Sequence, residues 1–130
     1  MDINIHDLCS RSRRHLVEQM AIMNDVGVLL IQETKFNKNY TDGEISMSGF
    51  SVASRCDRFG GLGGGSIIYV RDDIKYHGSK IHNLGRKIQI TETRILDYFV
   101  FNVYRAPDPT KTEENRLYSR QRIQTCDFIW

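Results

Sequence analysis

Val28-Leu29-Leu30-Ile31-Gln32-Glu33-Thr34-Lys35 is the stretch on which the reading of this chain turns. An apolar run after Asp25-Val26-Gly27 predicts a strand over Val28 to Gln32, buried rather than half-wet. The run then stops in a carboxylate and a lysine. In open α/β sheets ligands gather outside the carboxyl ends of strands. A glutamate at such a mouth, beside a cation, is a place where a divalent metal and a phosphate could meet. Glu33 is therefore the first candidate site residue; its plain alternative is a solvated residue that merely ends a strand.

Upstream, Ser10 to Asn24 carries helical spacing, with Leu16, Val17, Met20 and Met23 expected on one face and Ser10 or Ser12 as the cap. Asp2 to Ile5 is a short candidate strand, so strand, helix and strand read as a βαβ unit and an α/β architecture. Downstream, Phe50 to Ser54, Ser66 to Arg71, Lys87 to Thr93 and Phe99 to Tyr104 read as strands. In the third of these Ile88 and Ile90 alternate with polar residues, which predicts one wet face. These strands follow one another through turns, so antiparallel pairing is expected, in a mixed, mostly antiparallel sheet with a helix on one face. Pro107 and Pro109 should end the last strand, and Glu113 onward reads as helix. That helix closes on Phe128, Ile129 and Trp130 with no stop signal, which suggests a cut rather than a natural boundary.

The length of 130 residues allows one domain, and 40% hydrophobic with 26% charged residues is ordinary for a globular protein. No apolar run is long enough to span a membrane, and Met1-Asp2-Ile3-Asn4 lacks the layout of a signal peptide. Cys9, Cys56 and Cys126 show neither a disulfide framework nor a zinc spacing, so an intracellular, reduced protein in nucleus or cytoplasm is expected. A net charge of +2 tolerates a polyanionic partner without demanding one. The glycines at 60, 61 and 63–65 precede a strand instead of opening a helix, so they read as a flexible turn and not as a phosphate loop. Arg11, Arg13 and Arg14 read as a solvated helix start. His6, His15, His77 and His82 have no zinc spacing and read as surface residues.

Four segments taken in order carry a resemblance. They are Ile3-Asn4-Ile5, Leu30-Ile31-Gln32-Glu33-Thr34-Lys35, Gly63-Gly64-Gly65-Ser66-Ile67-Ile68-Tyr69-Val70-Arg71, and Asn102-Val103-Tyr104-Arg105-Ala106-Pro107. Over roughly residues 2 to 108 the chain resembles the endonuclease/exonuclease/phosphatase superfamily, nearest in look to the apurinic-endonuclease-like domain of non-LTR retrotransposon polyproteins. The resemblance implies an incomplete domain over 1–130, the N-terminal part of a four-layered α/β sandwich. It further implies hydrolysis of a DNA phosphodiester with Mg²⁺, or Mn²⁺ in its place, the nick priming reverse transcription by a polyprotein that also carries the polymerase. By position Asn4 matches an asparagine that orients groups near the metal, Glu33 the metal-binding glutamate, and Tyr104 a tyrosine that contacts the scissile phosphate. Lys35 and Arg105 are then expected to hold the DNA backbone.

The departures are equally specific. Asp7 stands where the family commonly has glycine, and neither a Gly-Asp-Phe-Asn nor a Ser-Asp-His segment occurs in these residues. Groups that act as one site are strongly non-additive, so the expectation is a fragment inactive by itself. Two other functions fit the same residues: a phosphatase of the superfamily acting on inositol phosphates or sphingolipids, and a non-catalytic DNA-binding relic. Such a fragment is also expected to leave one sheet face bare, with Ile67, Tyr69, Phe99 and Phe101 on it.

Overall fold

A computed structural model describes residues 1–58, 64–85 and 87–106 of the protein. In chain order the elements are β1 (Asp2–Asn4), α1 (Arg11–Met23), β2 (Val28–Gln32), β3 (Phe50–Cys56), β4 (Ser66–Arg71), β5 (His77–Leu84), β6 (Ile88–Ile95) and β7 (Tyr98–Arg105). The expectations for Pro107, Pro109, the helix from Glu113 and the final Phe128 to Trp130 lie outside the described residues.

The fold is mixed α/β, with two mostly antiparallel sheets. One sheet has the order β1-β2-β4-β3 and the other β5-β6-β7. β1 runs parallel to β2, with Asn4 opposite Gln32, which is the pairing a βαβ unit requires. Every other neighbouring pair is antiparallel.

The apolar run of β2 is continuous because both of its faces are covered. Leu29 and Ile31 join Ile67 and Tyr69 of β4 under α1 and the segment holding Phe36, Ile45 and Met47. Leu30 packs with Ile68, Val70, Ile95 and Val100 between the two sheets. The described residues thus stack as helix, sheet, sheet. They hold no helix on the outer face of the β5–β6–β7 sheet.

Three expectations are corrected. Helix α1 starts as expected, with Ser10 Oγ accepting from Arg13 N, but it turns Val17 and Ala21 inward. Leu16, Met20 and Met23 stay exposed. Leu8, Phe36, Ile45 and Met47 already fill the space beneath the helix, so its near face must be small. Strand β6 is also in the opposite phase. Gln89, Thr91 and Thr93 are buried, while Ile88 and Ile90 are only half-buried. The facing sheet explains this, because it offers polar groups needing partners: Ser66 Oγ lies 3.0 Å from Thr91 Oγ1, and Gly65 N donates to Gln89 Oε1 at 2.8 Å. Finally, Ile67 and Tyr69 are fully buried. Of the four residues expected on a bare face, only Phe99, 52% exposed, is largely so; it stacks on half-buried Phe101.

Candidate functional site

The carboxyl end of β2 does not simply fade into a loop. Gln32, Glu33 and Thr34 are all buried, Glu33 to 7% exposure. Two bonds fasten the backbone here to the entry of β4: Lys35 N donates to Gly64 O at 2.9 Å and Thr34 N to Gly65 O at 3.3 Å. On the other side Ile5 N donates to Gln32 O at 3.2 Å and Leu8 N to Thr34 O at 2.9 Å. Glu33 and Lys35 both take left-handed backbone, with φ 57° and 59°. Non-glycine residues held so cost about 1–3 kcal/mol each and persist only where the surroundings over-determine them.

Gly65 explains why glycine is needed at the start of β4. It has φ +94°, and a Cβ there would collide with Thr34 Oγ1 and lie 3.2 Å from Lys35 N. The close approach of these two segments is what holds Glu33 at the mouth of the sheet. The expected flexible turn is therefore, at Gly64 and Gly65, a tight packing site; residues 59–63 lie outside the description.

Asn4 ends β1 directly beside this segment. Its Oδ1 accepts from His6 N at 3.4 Å, closing a turn that brings His6 back over Glu33. His6 Nδ1 stands 2.6 Å from Glu33 Oε2. Tyr104, at 4% exposure, reaches the same neighbourhood from the other sheet. A Cβ on Gly64 would lie 3.4 Å from Tyr104 Cε1, and it is the carbonyl of Gly64 that holds Lys35 N. Asn4, Glu33, Lys35 and Tyr104 thus belong to one end of the sandwich. Arg105 is exposed, and strand alternation sends it to the face opposite Tyr104.

Beneath the site lies a polar layer that the sequence reading passed over. Asn102 Nδ2 donates to Ile31 O and Ile67 O, both at 3.0 Å, and its Oδ1 accepts from Gln32 Nε2 at 2.5 Å. Gln32 Nε2 also donates to Asp2 Oδ1 at 2.6 Å. These partners fix which way both amides point. Gln32 Oε1 is left as the one buried side-chain oxygen or nitrogen among the described residues with no partner. A signal for Asn102 was present: it shares a strand face with Tyr104, two residues on. His6 is exposed, as expected of a surface residue, but the absence of zinc spacing gave no sign of its contact with Glu33.

The donor set bears on whether a metal fits. Mg²⁺ favours hard oxygens in near-octahedral geometry and takes one or two carboxylates together with water and phosphate oxygens. Glu33 supplies one carboxylate, and the amide oxygens of Asn4 and Gln32 lie on the adjoining strand ends. Among the described residues no group of three His, Cys, Asp or Glu could hold a metal ion. The set fits a one-carboxylate Mg²⁺ site and does not fit a protein cage. Nearby, Cys9 Sγ donates to Lys35 O at 3.3 Å, and burial pushes its thiol above the ordinary range, so it acts here as a donor and not as a nucleophile.

No family model matches this chain, and no curated protein does. A solved structure is similar to it. This is the endonuclease domain of TRAS1, a telomere-specific non-LTR retrotransposon, with TM-score 0.43 and 18% sequence identity, covering 95% of this chain and 52% of that one. The chain spans about half the length of the solved domain. No helix among the described residues is long and apolar enough to cross a membrane.

Proposed function

We propose that this chain carries one part of the active site of a Mg²⁺-dependent phosphodiester hydrolase that nicks DNA for target-primed reverse transcription. The observation supporting this most is the placement of Glu33. It is buried, its backbone is constrained, and it lies at the carboxyl end of a central strand beside Asn4. The order of the four resembling segments adds the substrate class.

Mg²⁺, when bound, neutralises charge growing on the phosphate and on the leaving oxygen. Glu33 is the residue that would hold it. Asn4 shapes the turn over Glu33, and the Tyr104 hydroxyl is the group to donate a hydrogen bond to a non-bridging oxygen. Lys35 and Arg105 contribute positioning contacts to the DNA backbone, which carry no sequence information. With one carboxylate in the described site and neither further motif in these residues, the chain alone is expected to nick poorly or not at all.

The direct test is the metal. Mn²⁺ added to ¹⁵N-labelled protein should broaden amide signals around Asn4, Glu33 and Gly64, Mg²⁺ should reverse this, and Glu33→Gln should abolish it. Broadening spread over the surface, or unchanged in Glu33→Gln, removes the proposal. The same protein incubated with supercoiled plasmid separates the DNA-binding relic. Salt-sensitive binding that needs no metal, with no nicking and no local broadening, supports the relic instead.

A further inference from the structure

His6 is more than half exposed, at 58% of its side chain, yet its Nδ1 lies 2.6 Å from Oε2 of a glutamate whose side chain is 10% exposed. A histidine that merely faces water needs neither that contact nor the backbone that delivers it. His6 has φ 64°, the left-handed region, where histidine is tolerated better than most residues but still at a cost. Its short loop is held at three points: His6 N to Asn4 Oδ1 at 3.4 Å, Asp7 N to Ile5 O at 2.8 Å, and Cys9 N to Asp7 Oδ1 at 2.8 Å. What this turn delivers is an imidazole placed on one oxygen of Glu33.

We infer that His6 is a positioning residue of the Glu33 site: its Nδ1–H holds Oε2, fixes the carboxylate plane and leaves Oε1 to meet a divalent cation. The inference rests on the metal reading proposed above. An ionised carboxylate is only an acceptor, so the contact requires the ring proton on Nδ1. A carboxylate held in one orientation loses less rotamer freedom when it takes up an ion. Partners that orient metal ligands in this way typically contribute about 10–100-fold to metal affinity.

The test uses the whole chain and two readouts. Nitrogen shifts of the His6 ring in alkaline buffer report the tautomer without any metal. A free neutral imidazole carries its proton mainly on Nε2; His6 should carry it on Nδ1 and revert in Glu33→Ala, which leaves no side-chain acceptor at that position. Mn²⁺ titration then reports affinity. His6→Ala should weaken Mn²⁺ binding about tenfold, and His6→Asn should restore most of it. Asparagine keeps an N–H donor near the same place and tolerates the left-handed backbone. Because His6 is exposed, urea unfolding should show His6→Ala folded, which ties any loss to the site. An Nε2 proton in the parent protein overturns the inference. So does Mn²⁺ binding in His6→Ala that is equal to or tighter than the parent's. If Glu33→Gln leaves Mn²⁺ binding unchanged, the metal reading fails, and with it the positioning role, while the tautomer still reports whether His6 holds Glu33.

Discussion

At the scale of single residues, Asn102 decides how the two sheets meet at the site end. Its amide nitrogen donates to two carbonyls of the opposite sheet and its oxygen accepts from Gln32 Nε2. Asn102→Ala removes three buried hydrogen bonds, each contributing about 0.5–1.5 kcal/mol net. Urea unfolding should therefore show a loss of about 3 kcal/mol; a loss within the few tenths typical of surface changes contradicts the network. Gly65→Ala should be comparably damaging, because the new Cβ meets Thr34 Oγ1 at a positive φ. Its amide spectrum should change around Thr34 and Lys35, and one unchanged there would show that the segments need not lie so close. Burial raises the Cys56 thiol to about 11 from an ordinary 9. The folded state then holds its proton longer than the unfolded state, so this group's contribution is intact below pH 9 and is lost as pH climbs towards 11. Denaturation midpoints should fall across that window, and less so in Cys56→Ala. An identical slope in that variant rules out Cys56 as the source.

At the scale of elements, the rotation of α1 is the most exposed to test. Ala21 and Val17 face the sheet, whereas Met23 is 82% exposed. Ala21→Leu should overpack that contact and cost about 1–3 kcal/mol. Met23→Lys should stay within about 0.5 kcal/mol of the parent. The reverse ranking in thermal unfolding would mean that the apolar stripe of Leu16, Met20 and Met23 is the buried one after all. Strand β5 makes a complementary point. All eight of its residues are exposed, and its place comes from pairing with β6 and from polar ties such as Thr93 Oγ1 to Gly78 O at 2.8 Å.

At the scale of the whole molecule, the outer face of the β5–β6–β7 sheet carries Phe99 stacked on Phe101, with Arg94 lying over the Phe99 ring. Exposed aromatic surface of this kind favours self-association. Sedimentation should show concentration-dependent association that Phe99→Lys reduces; a monomer at all concentrations in both proteins would show the patch to be harmless.

Strands with a continuous apolar run, β2 and β4, were legible because burial on both faces leaves no ambiguity of phase. The βαβ pairing followed from element order, and Ser10 announced its helix by chemistry confined to one turn. Glu33 and Tyr104 were legible as candidates because each ends a strand within a segment of recognisable order. The contacts of His6 and Asn102 were not, even though Asn102 shares a strand face with Tyr104, since what defines them is a partner 27 or 70 positions away, Glu33 and Gln32. The same holds for the polar interior face of β6 and for β5, whose sequence has no apolar period to betray it. Local chemistry in the chain set which segments become strands and where they end. Which face of each is buried, and which side chain meets Glu33, was decided only by the opposing sheet and loop, because hydrogen-bond satisfaction and packing are properties of the pair and not of either segment.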